Sequence, residues 1–105
     1  MAAIHLPDHA TTSPDGPQRS TLVDVRNLKA NLHALAPGQH LHAHVHDDLD
    51  KVFLVVSGRL CVEVGGDESE LGPQDMVLVP AGATHGARND GTEDASLLVV
   101  VARHG

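Results

Sequence analysis

The stretch GQHLHAHVHDDLDKVFLVVSG, residues 38–58, decides how the rest of the chain is read. It sets His40, His42, His44 and His46 on alternate positions and places Lys51 just before an apolar run. Side chains repeat every second residue on a strand, so a regular strand turns all four imidazoles to one face. Two imidazoles so spaced can share one ion at about 2.0–2.1 Å from each ring nitrogen. The ammonium of Lys51 argues the other way, because a cation inside such a pocket repels a divalent ion.

The short period continues on both sides. Thr21, Val23 and Val25 alternate with Leu22, Asp24 and Arg26, and ANLHALA (30–36) ends at the turn pair Pro37-Gly38. KVFLVVS (51–57) has the β-branched bias of a buried strand and is bounded by Gly58. RLCVEV (59–64) stops at Gly65-Gly66, a hairpin signal, with ESEL (68–71) as the return. DMVLV (75–79), THGARN (84–89) and ASLLVVVAR (95–103) complete the series, and no segment carries a helical period with caps. Eight or nine short strands at near-even spacing predict an all-β, antiparallel sandwich or barrel. Strands apolar on both sides imply a covered outer face, so a homodimer is expected. Residues 1–19, rich in Pro, Asp, Thr, Ser and His, read as an extended or mobile arm ahead of one domain over residues 20–105.

Composition narrows the partners. A chain of 105 residues holds one core, and with Phe53 its lone aromatic that core is built from Val, Leu and Ala. The lack of stacking rings and a net charge of −7 both speak against nucleic acid. A small anion held by a local cluster of histidine and lysine stays compatible with that charge. Cys61 is the single cysteine, so an intramolecular disulfide is impossible. No apolar run approaches the roughly 20 residues that cross a bilayer, and the first residues lack a signal-peptide pattern. The simplest location is cytoplasmic, with no membrane partner.

Two motifs resemble those of the cupin family. Gly38, His44, His46, position 51 and Gly58 fall at the spacings of the family's first motif, a glycine, five residues, HxH, three or four residues, a glutamate, six residues and a glycine. Pro80, Gly82, His85 and Asn89, in PAGATHGARN, match the second. The resemblance spans residues 30–102 and implies a small single-domain jelly-roll β-barrel of six or eight strands with a pocket at His44, His46 and His85. Those three are the implied ligands of a divalent transition metal, Fe, Mn, Ni, Zn or Cu. Two positions depart from the pattern. Gln74 stands where a glycine is expected, and Lys51 stands in place of a glutamate that in cupins is often a metal ligand.

Three arrangements are open to Lys51. It can turn toward Asp47, Asp48 or Asp50 and leave a three-histidine centre with open positions. One of those aspartates, or His42, can supply a fourth ligand. Or Lys51 and the histidines can bind an anion directly, without metal. Phe53 and Val55 share the phase of Lys51 and are read, with His42, as ligand-binding residues lining the cavity. Leu60, Val62 and Val64 are candidates for the same wall. His40 lines the mouth or the surface, and His5, His9, His33 and His104 are read as surface or tail residues. Cys61 is structural, Asp47, Asp48 and Asp50 form a solvated loop, and Asn89 satisfies a turn.

Two functions follow. One is a metal-dependent enzyme acting on a small organic acid or ketone, by dioxygenase, isomerase, decarboxylase or cyclase chemistry, with Lys51 as catalytic acid, base or oxyanion partner. The other is a non-catalytic module binding a small ligand or anion in the same pocket. Fold does not choose between them.

Overall fold

The computed structural model describes residues 2–44 and 48–103, with Ala43 and His44 described through their backbone only. Among the described residues, nine antiparallel strands make two sheets that face each other as a jelly-roll barrel, as the turn spacing predicts. The larger sheet orders β1 (Gln18–Val25), β2 (Leu28–Leu35), β9 (Ala95–Ala102), β4 (Lys51–Ser57) and β7 (Met76–Val79). The smaller orders β3 (His40–His44), β8 (His85–Arg88), β5 (Leu60–Val64) and β6 (Asp67–Leu71). Among the described residues no helix is long and apolar enough to cross a membrane.

Alternation on β4, β5 and β9 sorts the side chains. Phe53, Val55, Leu60, Val62, Leu97 and Val99 turn inward and, with Leu35, Val79 and Ala87, form one core. These are small and branched side chains, so the barrel closes with Phe53 as its one large ring. Leu60, Val62 and Val64 belong to this core and its edge, and none of them lines the main cavity.

Registers across the larger sheet place inward residues in rows. Lys29, Val101 and Lys51 are successive partners on β2, β9 and β4. Asn31, Val99 and Phe53 form the next row, and His33, Leu97 and Val55 the third. On β1, Arg19 pairs with His33 and Thr21 with Asn31; a register shift between Thr21 and Val23 then brings Asp24 opposite Lys29. The outer face of the same sheet is apolar in continuous rows, Ala30–Val100–Val52–Leu78 and Leu32–Leu98–Leu54–Met76.

Two turns set the frame around β4. Gly58, which closes the first motif, has φ of 71°, and an added Cβ would stand 2.8 Å from Ala95 Cα. Only glycine fits both the left-handed backbone and that approach. At Gly72–Asp75, the amide of Asp75 donates to the Gly72 carbonyl at 3.0 Å, and Gln74 has φ of 72°. This is the position where the second motif calls for glycine. The segment before β1 holds a short 3-10 turn at Leu6–His9 and is tied to the barrel, with Gln39 Nε2 donating to the Ser13 carbonyl at 2.6 Å.

Candidate functional site

One end of the barrel opens into a cavity of about 370 Å³ between the two sheets, a volume suited to a small organic molecule. Its floor is apolar, made by Leu41, Phe53, Val99 and Val101. Its polar wall carries Arg19, Lys29, Lys51 and Arg103, four of the chain's seven basic residues. None of the described residues lining it is an aspartate or glutamate. At the rim, Arg103 Nη1 donates to Asp24 Oδ1 at 2.6 Å and to the Val25 carbonyl at 2.8 Å. Among the described residues, the lining of the cavity is therefore basic in a chain of net charge −7.

Lys51 and His85 meet at the centre. Both are 7% exposed, and Lys51 Nζ lies 3.4 Å from His85 Nε2. The opposite ring nitrogen, Nδ1, lies 3.0 Å from the Ala83 carbonyl. A carbonyl only accepts, so Nδ1 carries the proton and Nε2 presents its lone pair to the cavity, where the lysine donates to it. Phe53 stands edge-on to the same imidazole with ring centres 5.7 Å apart, fixing its plane. Burial, with the neighbouring Arg19 adding to it, lowers the His33 pKa to about 4.

The structure sorts the expected site residues unevenly. His85, Lys51, Phe53 and His42 all line the cavity. Val55, in the same phase as Phe53, sits in the closed core beside Leu97 and not on the cavity wall. His44 is the strand partner of His85 across β3 and β8. His46 and Asp47 lie outside the described residues. A register shift lies between Leu41 and His44. His40 pairs with Arg88, whose side chain bonds Glu68 and Asp90, and His44 pairs with His85. The rings of His40 and His42 stand 4.4 Å apart, edge to face, as their alternate spacing predicts.

His33 corrects another expectation. The sequence suggests a surface or tail residue, yet His33 is half-buried and lines the cavity with Lys29 and Asn31. The signal was present in β2, where Lys29, Asn31 and His33 alternate with Ala30, Leu32 and Ala34. An alternating strand ordinarily turns its apolar side inward. Here the polar side faces the interior because the interior is a cavity, and the apolar side, Ala30, Leu32 and Ala34, is buried on the opposite face of the sheet. Arg19 and Arg103 were missed because β1 and the segment after β9 enter the site only through tertiary pairing. Asn89 behaves as expected: its amide donates to the Leu35 and Glu93 carbonyls and its Oδ1 accepts from Gly91.

For a divalent ion the described residues are a poor fit. The described wall offers no carboxylate, and the ligand-competent nitrogen of His85 already accepts from Lys51. Replacing that contact with an ion would require the ammonium to withdraw from His85.

Known proteins place the chain clearly. Residues 31–101 match the cupin domain. An uncharacterized protein of Streptomyces coelicolor is 36% identical over 75 residues, covering 71% of this chain and 70% of that protein. The tetracenomycin polyketide synthase protein TcmJ of Streptomyces glaucescens is 31% identical over 68 residues, 65% of this chain, and the match spans 46% of TcmJ. A crystal structure from Thermus thermophilus superposes with a TM-score of 0.93 at 35% identity, covering all of both chains. With the two-sheet barrel, the paired motifs and these matches in place, the chain belongs to the cupin family.

Proposed function

We propose that the cavity is a binding site for a small organic anion, held directly by Lys51 and the surrounding basic residues without a resident metal. The observation that carries this reading is the Lys51–His85 contact, placed inside a wall with three further cations and no described carboxylate. A low-dielectric cleft lined by one sign of charge concentrates counter-ions of the other. A protonated lysine donates to His85 Nε2, and a carboxylate is the ligand group whose charge and acceptors complement such a wall. The apolar floor receives a compact carbon skeleton. If the bound acid is turned over, Lys51 is the group placed to deliver or accept a proton, which retains the catalytic role expected for it.

Calorimetry of tag-free, chelator-treated protein with succinate tests the reading. Binding at one site, weakened at least tenfold in Lys51→Met, is the expected result. Binding that needs an added divalent ion would overturn it.

A second reading has a specific observation behind it. His85 presents an unprotonated Nε2, and His44 is its strand partner. With His46 this supports a three-histidine centre of the kind the family resemblance implies. Such an ion would supply Lewis-acid chemistry for an organic acid or ketone. Elemental analysis of tag-free protein separates the two readings: about one equivalent of Fe, Mn, Ni, Zn or Cu, lost in His85→Ala, would favour the metal.

A further inference from the structure

Arg19 and Lys29 have no separate role in the anion site described so far. Both line the cavity, and they stand at opposite ends of the face that β2 turns inward. Lys29 begins that face, and His33, with Arg19 as its strand partner on β1, ends it. A strand rises about 3.3 Å per residue, so four residues set the two ends roughly 13 Å apart. Among the described residues neither cationic side chain makes a hydrogen bond or an ion pair, and the imidazole of His33 makes no hydrogen bond. The carboxylate opposite Lys29, on Asp24, is taken by Arg103 Nη1 at 2.6 Å. Val99 and Val101 floor the space between the ends.

We infer that the ligand is a dicarboxylic acid, with one carboxylate held at the Arg19–His33 end and the other at the Lys29 end. This rests on the anion reading above and narrows it to a two-ended molecule. The placement of charge selects it. A monocarboxylate matches one cation and leaves the other without a counter-charge, and an amino acid would bring its own ammonium to one of them. A phosphate gathers its charge at one point and would have to draw both side chains together, whereas two carboxylates meet each cation where it stands. Donor chemistry agrees. The Arg19 guanidinium presents the planar fork that pairs with both oxygens of a carboxylate. Beside it, burial lowers the His33 pKa to about 4, so near neutral pH that ring adds one N–H and no charge. Lys29 meets the far carboxylate as a compact charge on a flexible stem. The methylenes between the two acid groups lie over Val99 and Val101.

The test compares succinate with butyrate, four-carbon acids that differ by one carboxylate, by calorimetry on chelator-treated, tag-free protein. Wild type should bind succinate about tenfold more tightly than butyrate. Arg19→Gln should bring succinate to within about threefold of butyrate while leaving butyrate within about twofold. Arg26→Gln, on the exposed β1–β2 turn, removes the same charge away from the cavity and should leave succinate within about twofold. Equal affinity of wild type for succinate and butyrate overturns the two-ended ligand and leaves anion binding standing. So does a succinate preference that survives in Arg19→Gln, or one lost equally in Arg26→Gln. Failure of wild type to bind either acid overturns the anion reading itself and this inference with it. The wild-type comparison decides the matter even if Arg19→Gln does not fold.

Discussion

At position 51 the choice of side chain sets the charge of the whole cavity. A carboxylate there would face His85 Nε2 as a second ligand, whereas Lys51 donates to that nitrogen. Lys51→Glu changes the local charge by two and removes the donor. The variant is expected to bind Zn2+ or Mn2+ at least tenfold more tightly than wild type, measured by calorimetry on tag-free protein. Equal metal affinities would mean that Lys51 does not set the preference. His33 makes a different prediction. Burial beside Arg19 lowers its pKa to about 4, below the ordinary 6.5. As pH falls below about 6.5 the unfolded chain takes up this proton first, so His33's contribution is complete above that pH. It is lost as pH falls toward about 4. With partial exposure allowed for, the loss is on the order of 2 kcal/mol. Urea midpoints should therefore fall less between pH 6.5 and 4 in His33→Gln than in wild type; parallel curves would refute this.

Turns and registers decide which of these residues meet. Gly58 is legible in the sequence as a motif glycine, and the structure supplies the reason: its left-handed φ and its approach to Ala95. Gly58→Ala is expected to cost about 2–4 kcal/mol, from backbone strain and displacement of the start of β9 at Ala95. Gln74 is the reverse case, a side chain where the backbone favours glycine. Gln74→Gly should stabilise by up to about 1 kcal/mol, less whatever entropy glycine adds to the unfolded chain. Chemical denaturation of both variants checks the pair, and a neutral Gly58→Ala would contradict the close approach. The strands themselves were readable because turn residues punctuate them and β-branched residues fill them. The register shift in β3 was not, since nothing in HLHAH distinguishes a regular strand from a shifted one. The inward turn of Lys29, Asn31 and His33 was hidden for a related reason. Alternation tells which residues share a face, but not which face holds the cavity.

Across the whole molecule, charge and apolar surface are divided. The cavity gathers four bases, while the outer face of the larger sheet presents Met76, 62% exposed, and Leu78, 58% exposed, beside Leu54 and Val52. A second copy of the chain seated on this face is the proposed partner, because Met76 and Leu78 stand exposed on the edge strand β7 with Val52 and Leu54 half-buried beside them. Sedimentation at micromolar concentration should give a dimer and Leu78→Glu a monomer; a wild-type monomer throughout would contradict it. The barrel, its two motifs and the place of His85 in the cavity could be read from sequence, since local pattern and spacing encode them. The basic wall could not, because its members are scattered from Arg19 to Arg103 and only the closed barrel brings them together. That wall carries the central claim, and one titration tests it most directly: succinate into chelator-treated, tag-free protein at low and high salt. The predicted result is metal-independent binding at a single site, weakened by salt and at least tenfold by Lys51→Met. Binding that appears only after a divalent ion is restored, or that ignores Lys51→Met, would contradict it.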